Sequence, residues 1–133
     1  DSSTSRGLGD VYKRQIFNKL KGDYGEDLAA EYLKKIGYTV LKRNYKNEYG
    51  EIDVIALGEE YLVFVEVKMR TTDAFGLPSE AVTKTKMRKI CQVAGAYIAS
   101  KQLFDMPVRF DVIEILNGEI NHIKNAFESY LSF

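Results

Sequence analysis

The sequence predicts an α/β domain, and three observations carry that prediction. Two long segments, 28–36 and 82–98, repeat apolar residues at helical spacing. Short apolar runs of strand length lie between and after them, at 50–56, 62–68 and 108–116. The resulting order is helix, three strands, helix, strand, closed by a hairpin.

Residues 1–15 (DSSTSRGLGDVYKRQ) stand apart, rich in Ser and Gly and without helical or strand periodicity. The stretch 7–15 resembles a translated library-adapter scar. Residues 1–15 are therefore expected to be a non-native or disordered leader, and residues 16–133 a single domain. The first helix is expected to be capped by Asp23, with the stripe Leu28, Ala29, Tyr32, Leu33 and Ile36, and to stop at Gly37. A strand over Tyr38–Asn44 follows, then strands at Gly50–Ala56 and Leu62–Lys68 joined around Gly58-Glu59-Glu60. Pro78-Ser79-Glu80 predicts the start of the second helix, whose stripe is Val82, Met87, Ile90, Cys91, Ala94, Tyr97 and Ile98. Val108–Leu116 reads as a strand, and Asn117-Gly118 as a tight turn into a partner at Glu119–Ile123.

At 133 residues, 45% apolar and 29% charged, the chain is long enough to bury a core without staples. Nineteen basic residues balance nineteen acidic ones, so nucleic-acid binding has to come from a local patch. Without the leader the balance is 16 to 17, and the conclusion stands. The single cysteine, Cys91, excludes an internal disulfide and suits a reducing compartment. No apolar run approaches the ~20 residues of a membrane span, and no signal-peptide pattern is present. The expectation is a cytoplasmic protein with no membrane partner.

The chemistry concentrates in the pattern Asp53, twelve residues, Glu66-Val67-Lys68. Charges in apolar strands are costly unless paired or bound to metal. Glu66 and Lys68 share one strand face, and Asp53, Ile55 and Leu57 share a face of the preceding strand. An even connection puts Asp53 and Glu66 on the same side of the sheet, whereas an odd one separates them. A two-residue loop at Glu59-Glu60 sets Asp53 directly opposite Glu66. Paired carboxylates repel, and a hard divalent cation such as Mg²⁺ relieves that repulsion. Such a site polarises a phosphoryl oxygen, with the Val67 carbonyl as a further ligand and Lys68 orienting water or stabilising charge.

At these residues the chain resembles the PD-(D/E)xK nucleases, with Asp53, Glu66 and Lys68 matching the motif and Ile52 standing where many members have Pro. It resembles the YraN family more closely still, through Gly22-Asp23-Tyr24-Gly25-Glu26, Arg43-Asn44, Gly50-Glu51-Ile52-Asp53, Phe64 to Arg70, Ala81-Val82 through Lys86, Arg109-Phe110-Asp111-Val112 and Asn125-Ala126-Phe127. The resemblance implies a restriction-endonuclease-like three-layer fold, a central mixed sheet flanked by helices with an αβββαβ core. It implies a metal-dependent endonuclease using Mg²⁺ or Mn²⁺ on nucleic acid, DNA foremost. Likeness to Holliday-junction resolvases adds branched DNA and a homodimer, with Glu26 completing the metal site. Some members of this fold bind nucleic acid without cutting it, so a non-catalytic binding module, or one active only in a partner complex, is the rival.

Other residues have plainer readings beside the functional ones. Glu26 also suits a capping box with Asp23. Glu51, two before Asp53, faces the same side and can contact bound water. Arg70 and Lys86 are candidate phosphate clamps or solvated surface. Lys84, Lys86, Arg88 and Lys89 spread around the helix as a diffuse basic field. His122 reads as structural, Arg109 and Asp111 as a pair, and Cys91 as core packing.

Overall fold

Helix α1, residues 23–35, opens a computed structural model that describes residues 23–70 and 82–128. The predicted leader, the Pro78-Ser79-Glu80 signal and the Tyr130–Phe133 tail lie outside these residues. Asp23 is already helical, so the cap of α1 also lies outside them. The helix buries Ala29 and Leu33 completely. It ends as expected at Gly37, whose φ of +94° lets Tyr38 N–H reach back to the Leu33 carbonyl at 2.9 Å. Ile36, expected on the apolar stripe, falls past the last turn and is exposed.

Five strands follow: β1 (Thr39–Asn47), β2 (Gly50–Gly58), β3 (Tyr61–Arg70), β4 (Val108–Leu116) and β5 (Glu119–Ile123). They form one sheet in the order β1-β2-β3-β4-β5. Among the described residues only β3 and β4 pair in parallel, and helix α2 (Lys84–Lys101) lies in the crossover between them. β1 starts one residue later than predicted and runs three further. Tyr38 belongs instead to the core, 5% exposed. α2 starts later than the Pro78 signal suggests. Thr83 is extended, with φ −74° and ψ 162°, and its hydroxyl accepts Lys86 N–H, which makes it the N-cap.

Each helix covers one face of the sheet, giving three layers. Ala29 and Leu33 of α1 pack with Val54, Ala56, Val63, Val65, Ile113 and Ile115. Ile90, Val93, Ala94, Tyr97 and Ile98 of α2 pack with Ile52, Ile55, Leu62, Phe64 and Phe110. Cys91 is buried in that second cluster, as expected. The architecture is thus the predicted α/β fold with a mixed sheet between helices. No helix of the described residues is long and apolar enough to cross a membrane.

Two hairpins set the register. Glu59 and Glu60 both take positive φ, 54° and 72°, so the β2–β3 loop has two residues and Gly58 pairs with Tyr61. Asn117 and Gly118 do the same between β4 and β5, at 52° and 82°. Beneath the first hairpin lies a buried polar cluster. Asp111, fully buried, takes both Arg109 Nε and Nη2 at 2.8 Å, His122 Nε2 at 2.7 Å and Asn125 N–H at 3.0 Å. Arg109 also donates to Tyr38 and Glu59, and His122 Nδ1 lies 3.0 Å from the Tyr32 hydroxyl. Burial pushes the Asp111 carboxyl up, but these bonds hold it below the usual carboxylate range.

Candidate metal and phosphodiester site

The site forms where β2 and β3 stop pairing. Their ladder runs from Gly58–Tyr61 to Val54–Val65, and one more step of that register sets Asp53 opposite Glu66. The even-residue connection is therefore the one the chain adopts. Past Val65 the ladder is interrupted. Val67 N–H donates at 2.8 Å to Asp53 Oδ2 in place of a β2 carbonyl. The Asp53 side chain fills the fork between the strands, and Val67 serves it through its amide.

Strict alternation fails at the same point. Ile52 and Ile55 are three residues apart yet both join the α2-side core, while Val54 faces α1. Across the sheet, Asn44 of β1 adopts φ 51° between Arg43, paired with Val54, and Tyr45, paired with Ile52. Asp53 therefore does not continue the face of Ile55 and Leu57, as period two predicts. Its carboxylate instead meets those of Glu51 and of Glu26 from α1, with one oxygen of each within 4.8 Å of the others. Glu26 hydrogen-bonds with Asn44, and its Oε2 is buried without a partner among the described residues.

Glu66 stands beside this trio on the α2 side, 6% exposed. Its Oε1 lies 3.6 Å from Lys68 Nζ and 3.4 Å from Lys86 Nζ. Lys86 thus reaches the motif from the first turn of α2, across a gap of twenty residues in sequence. Arg70, read as a phosphate clamp or surface group, is neither solvated nor beside the acidic trio. It is 8% exposed, with Glu114 3.9 Å away. Glu51 is half turned to solvent and pairs with Lys46 at 3.7 Å.

Crowded carboxylates leave an electrostatic signature. Burial, then repulsion from Glu66, raises the Asp53 pKa to about 7, against the Val67 bond that lowers it; Glu26 and Glu51 add to the rise. Burial also raises Glu26, which its Asn44 bond partly offsets. The trio is thus an oxygen-only donor set in which Glu51 pairs with Lys46, while among the described residues no ion pair reaches Asp53. Such a set suits a hard divalent ion. Sequence reasoning had Glu51 only at the margin of the site and gave no role to Asn44. The αL conformation that Asn tolerates better than most residues was the available signal.

Comparison with known proteins gives a consistent result. The model of the uncharacterised protein family UPF0102 matches residues 25–115. A UPF0102 protein of Clostridium acetobutylicum is 49% identical over 117 residues, spanning 84% of this chain and 96% of the relative. One from Caldanaerobacter subterraneus is 49% identical over 121 residues, covering 86% and 99%. One from Persephonella marina is 42% identical over 113 residues, covering 85% and 97%.

Proposed function

The chain belongs to the UPF0102 (YraN) family, and from the chemistry of its acidic fork we propose that it is a metal-dependent endonuclease of PD-(D/E)xK type, acting on nucleic acid and on DNA foremost. The observation that carries this reading is the meeting of Glu26, Glu51 and Asp53 beside Glu66 and Lys68, with a buried Glu26 oxygen left unpartnered among the described residues. Unsatisfied buried carboxylate oxygens are costly, and a cation is the ordinary remedy. Asp53, Glu26, Glu51 and Glu66 would hold Mg²⁺ or Mn²⁺. When bound, the ion supplies Lewis acidity toward a phosphoryl oxygen and acidifies a water.

The chain's own groups do the rest. Val67 N–H holds Asp53 in the fork, so the carboxylate is oriented before substrate arrives. Lys68, its ammonium 3.6 Å from Glu66 and its side chain 30% exposed, orients the attacking water or stabilises charge on phosphorus. Lys86, with its side chain 46% exposed, holds Glu66 from the α2 side and extends a positive edge toward a phosphate backbone. Lys84, Arg88 and Lys89 add to that field.

The test is incubation with branched, duplex and single-stranded DNA and with RNA, with and without Mg²⁺ or Mn²⁺. Wild type should cut in the presence of metal, with Asp53→Asn and Lys68→Ala slower by a factor of at least about 10². Cleavage that persists unchanged in both variants sinks the site assignment. A binding-only module is the alternative, and the exact balance of 19 basic and 19 acidic residues favours it weakly. Nucleic-acid binding without cleavage, and no metal affinity above that of Asp53→Asn, would select that alternative.

A further inference from the structure

Two adjacent residues of β1 grip two adjacent residues of α1. Arg43 Nη2 donates to Asp27 Oδ1 at 2.5 Å, and the Asn44 side-chain amide donates to the Glu26 carboxylate. Asn44 falls between the ladder steps Arg43–Val54 and Tyr45–Ile52, level with Asp53 on β2. Its φ of 51° places the αL kink at that level. The residue that bends β1 beside Asp53 therefore also holds the carboxylate that α1 supplies.

Glu26 needs such a hold. It stands near the start of α1, on a side chain with three rotatable bonds, and reaches a site whose other two carboxylates come from β2. The groups that hold the acidic side chains differ in kind. Glu51 pairs with Lys46, and Glu66 with Lys68 and Lys86. Asp53 and Glu26 instead accept from neutral N–H donors, the Val67 main chain and the Asn44 amide. A neutral donor fixes the direction of a carboxylate and leaves its charge for an ion, whereas a cation in that place would compete with the ion. Arg43, the cation next in sequence, is engaged by Asp27.

The residue type answers both demands. Asn tolerates αL better than most side chains and also carries an amide donor. Glycine would meet only the first demand. Asn44 is exposed and belongs to neither core cluster, so packing does not account for it.

We propose that Asn44 is a positioning residue of the metal site and acts through Glu26, its amide turning the α1 carboxylate toward Glu51 and Asp53 before an ion arrives. This rests on the metal-site reading above, and it makes the docking of α1 on β1 the step that completes the donor set.

Calorimetric Mn²⁺ titration of the full chain tests it, with Asn44→Gly, Glu26→Ala and the double variant. Asn44→Gly keeps the αL backbone and removes the amide, so metal-free thermal unfolding should stay close to wild type. Its Mn²⁺ affinity should fall about tenfold. In the Glu26→Ala background the same change should leave affinity unaltered, because the group through which Asn44 acts is gone. Without metal, the Asn44 side-chain amide resonances should move in Glu26→Ala. Equal affinity in wild type and Asn44→Gly overturns the role of Asn44 and leaves the metal site standing. A tenfold loss in both backgrounds overturns it too, since Asn44 would then act on the fold and not on Glu26. Amide resonances that stay in place when Glu26 is removed overturn the contact itself. Absence of Mn²⁺ binding by the wild type overturns the metal site and the role of Asn44 together.

Discussion

Asp53 accepts the main-chain N–H of Val67 at 2.8 Å, so the central carboxylate of the site is tied to the strand that carries Glu66 and Lys68. The bond takes over where the β2–β3 ladder ends at Val54–Val65. Shape and charge are therefore set by the same side chain, and substitutions there separate the two.

Asp53→Asn retains an acceptor for Val67 and removes the titration. Asp53 has its pKa raised from 3.8 to about 7, so the folded, metal-free chain keeps a proton that the unfolded chain releases. Its contribution to stability is full below about pH 4 and is lost as pH rises through about 7. Denaturant unfolding without metal should find the two proteins alike near pH 4. By pH 8 the wild type should have lost on the order of 2–4 kcal/mol relative to Asp53→Asn. Parallel stability curves across that range would refute the burial and repulsion assigned to this carboxyl.

Divalent metal should reverse that loss. An ion that binds only the folded state stabilises it by about 2.7 kcal/mol at a hundred times its dissociation constant. Thermal unfolding at pH 8 should shift upward with Mg²⁺ or Mn²⁺ in the wild type, less in Glu26→Gln and Glu51→Gln, and not in Asp53→Asn. At pH 6 the shift should shrink, because the proton on Asp53 competes with the ion. An equal shift in all four proteins would mean that binding lies elsewhere.

On the strand beside β3, where Asp111 pairs with Val65, Asp111→Ala should unfold the chain more readily by about 3–5 kcal/mol, since it strands the buried Arg109 guanidinium. A loss under 1 kcal/mol in urea titration would show that water or Glu59 replaces Asp111 without cost. Glu59 is held at a pKa of about 2 by hydrogen bonds from Lys124 and Arg109 at the exposed rim of the same cluster.

Gly58→Ala tests the packing that positions the hairpin. A Cβ at Gly58 would collide with the ring of Tyr38, whose hydroxyl is bonded to Arg109. Overpacking of this kind costs about 1–3 kcal/mol. The metal-induced thermal shift should survive in the folded protein, because the fork lies further along β2 and β3. Loss of that shift would show that the hairpin and the acidic fork are coupled.

Local signals were legible in the sequence, and departures from ideal geometry were not. The Glu59-Glu60 connection predicted the two-residue loop and the register that runs to Val54–Val65, and Asn117-Gly118 predicted the β4–β5 turn. The helix stripes predicted both cores. Period two misplaced Asp53 relative to Ile55 because the αL kink at Asn44 lies on the neighbouring strand, outside the window that sets the period. Glu26 and Lys86 meet the motif through packing of α1 and α2, which no spacing encodes. Thr83 caps α2 by its own hydroxyl, although the prolyl signal at Pro78 was the louder one. Burial of His122 between Tyr32 and Asp111 joins residues 90 apart, beyond any local pattern.

The irregular first strand bears on self-association. Among the described residues β1 is one edge of the sheet, and its register slips between Val40 and Lys42 before the kink at Asn44. Lys42, Arg43 and Lys46 stand exposed along it. A bent, cationic edge is a poor template for strand addition. The device that aims Asp53 at Glu26 thus also discourages open-ended stacking of chains, and a homodimer of this protein should be sought on the helical layers and not along β1.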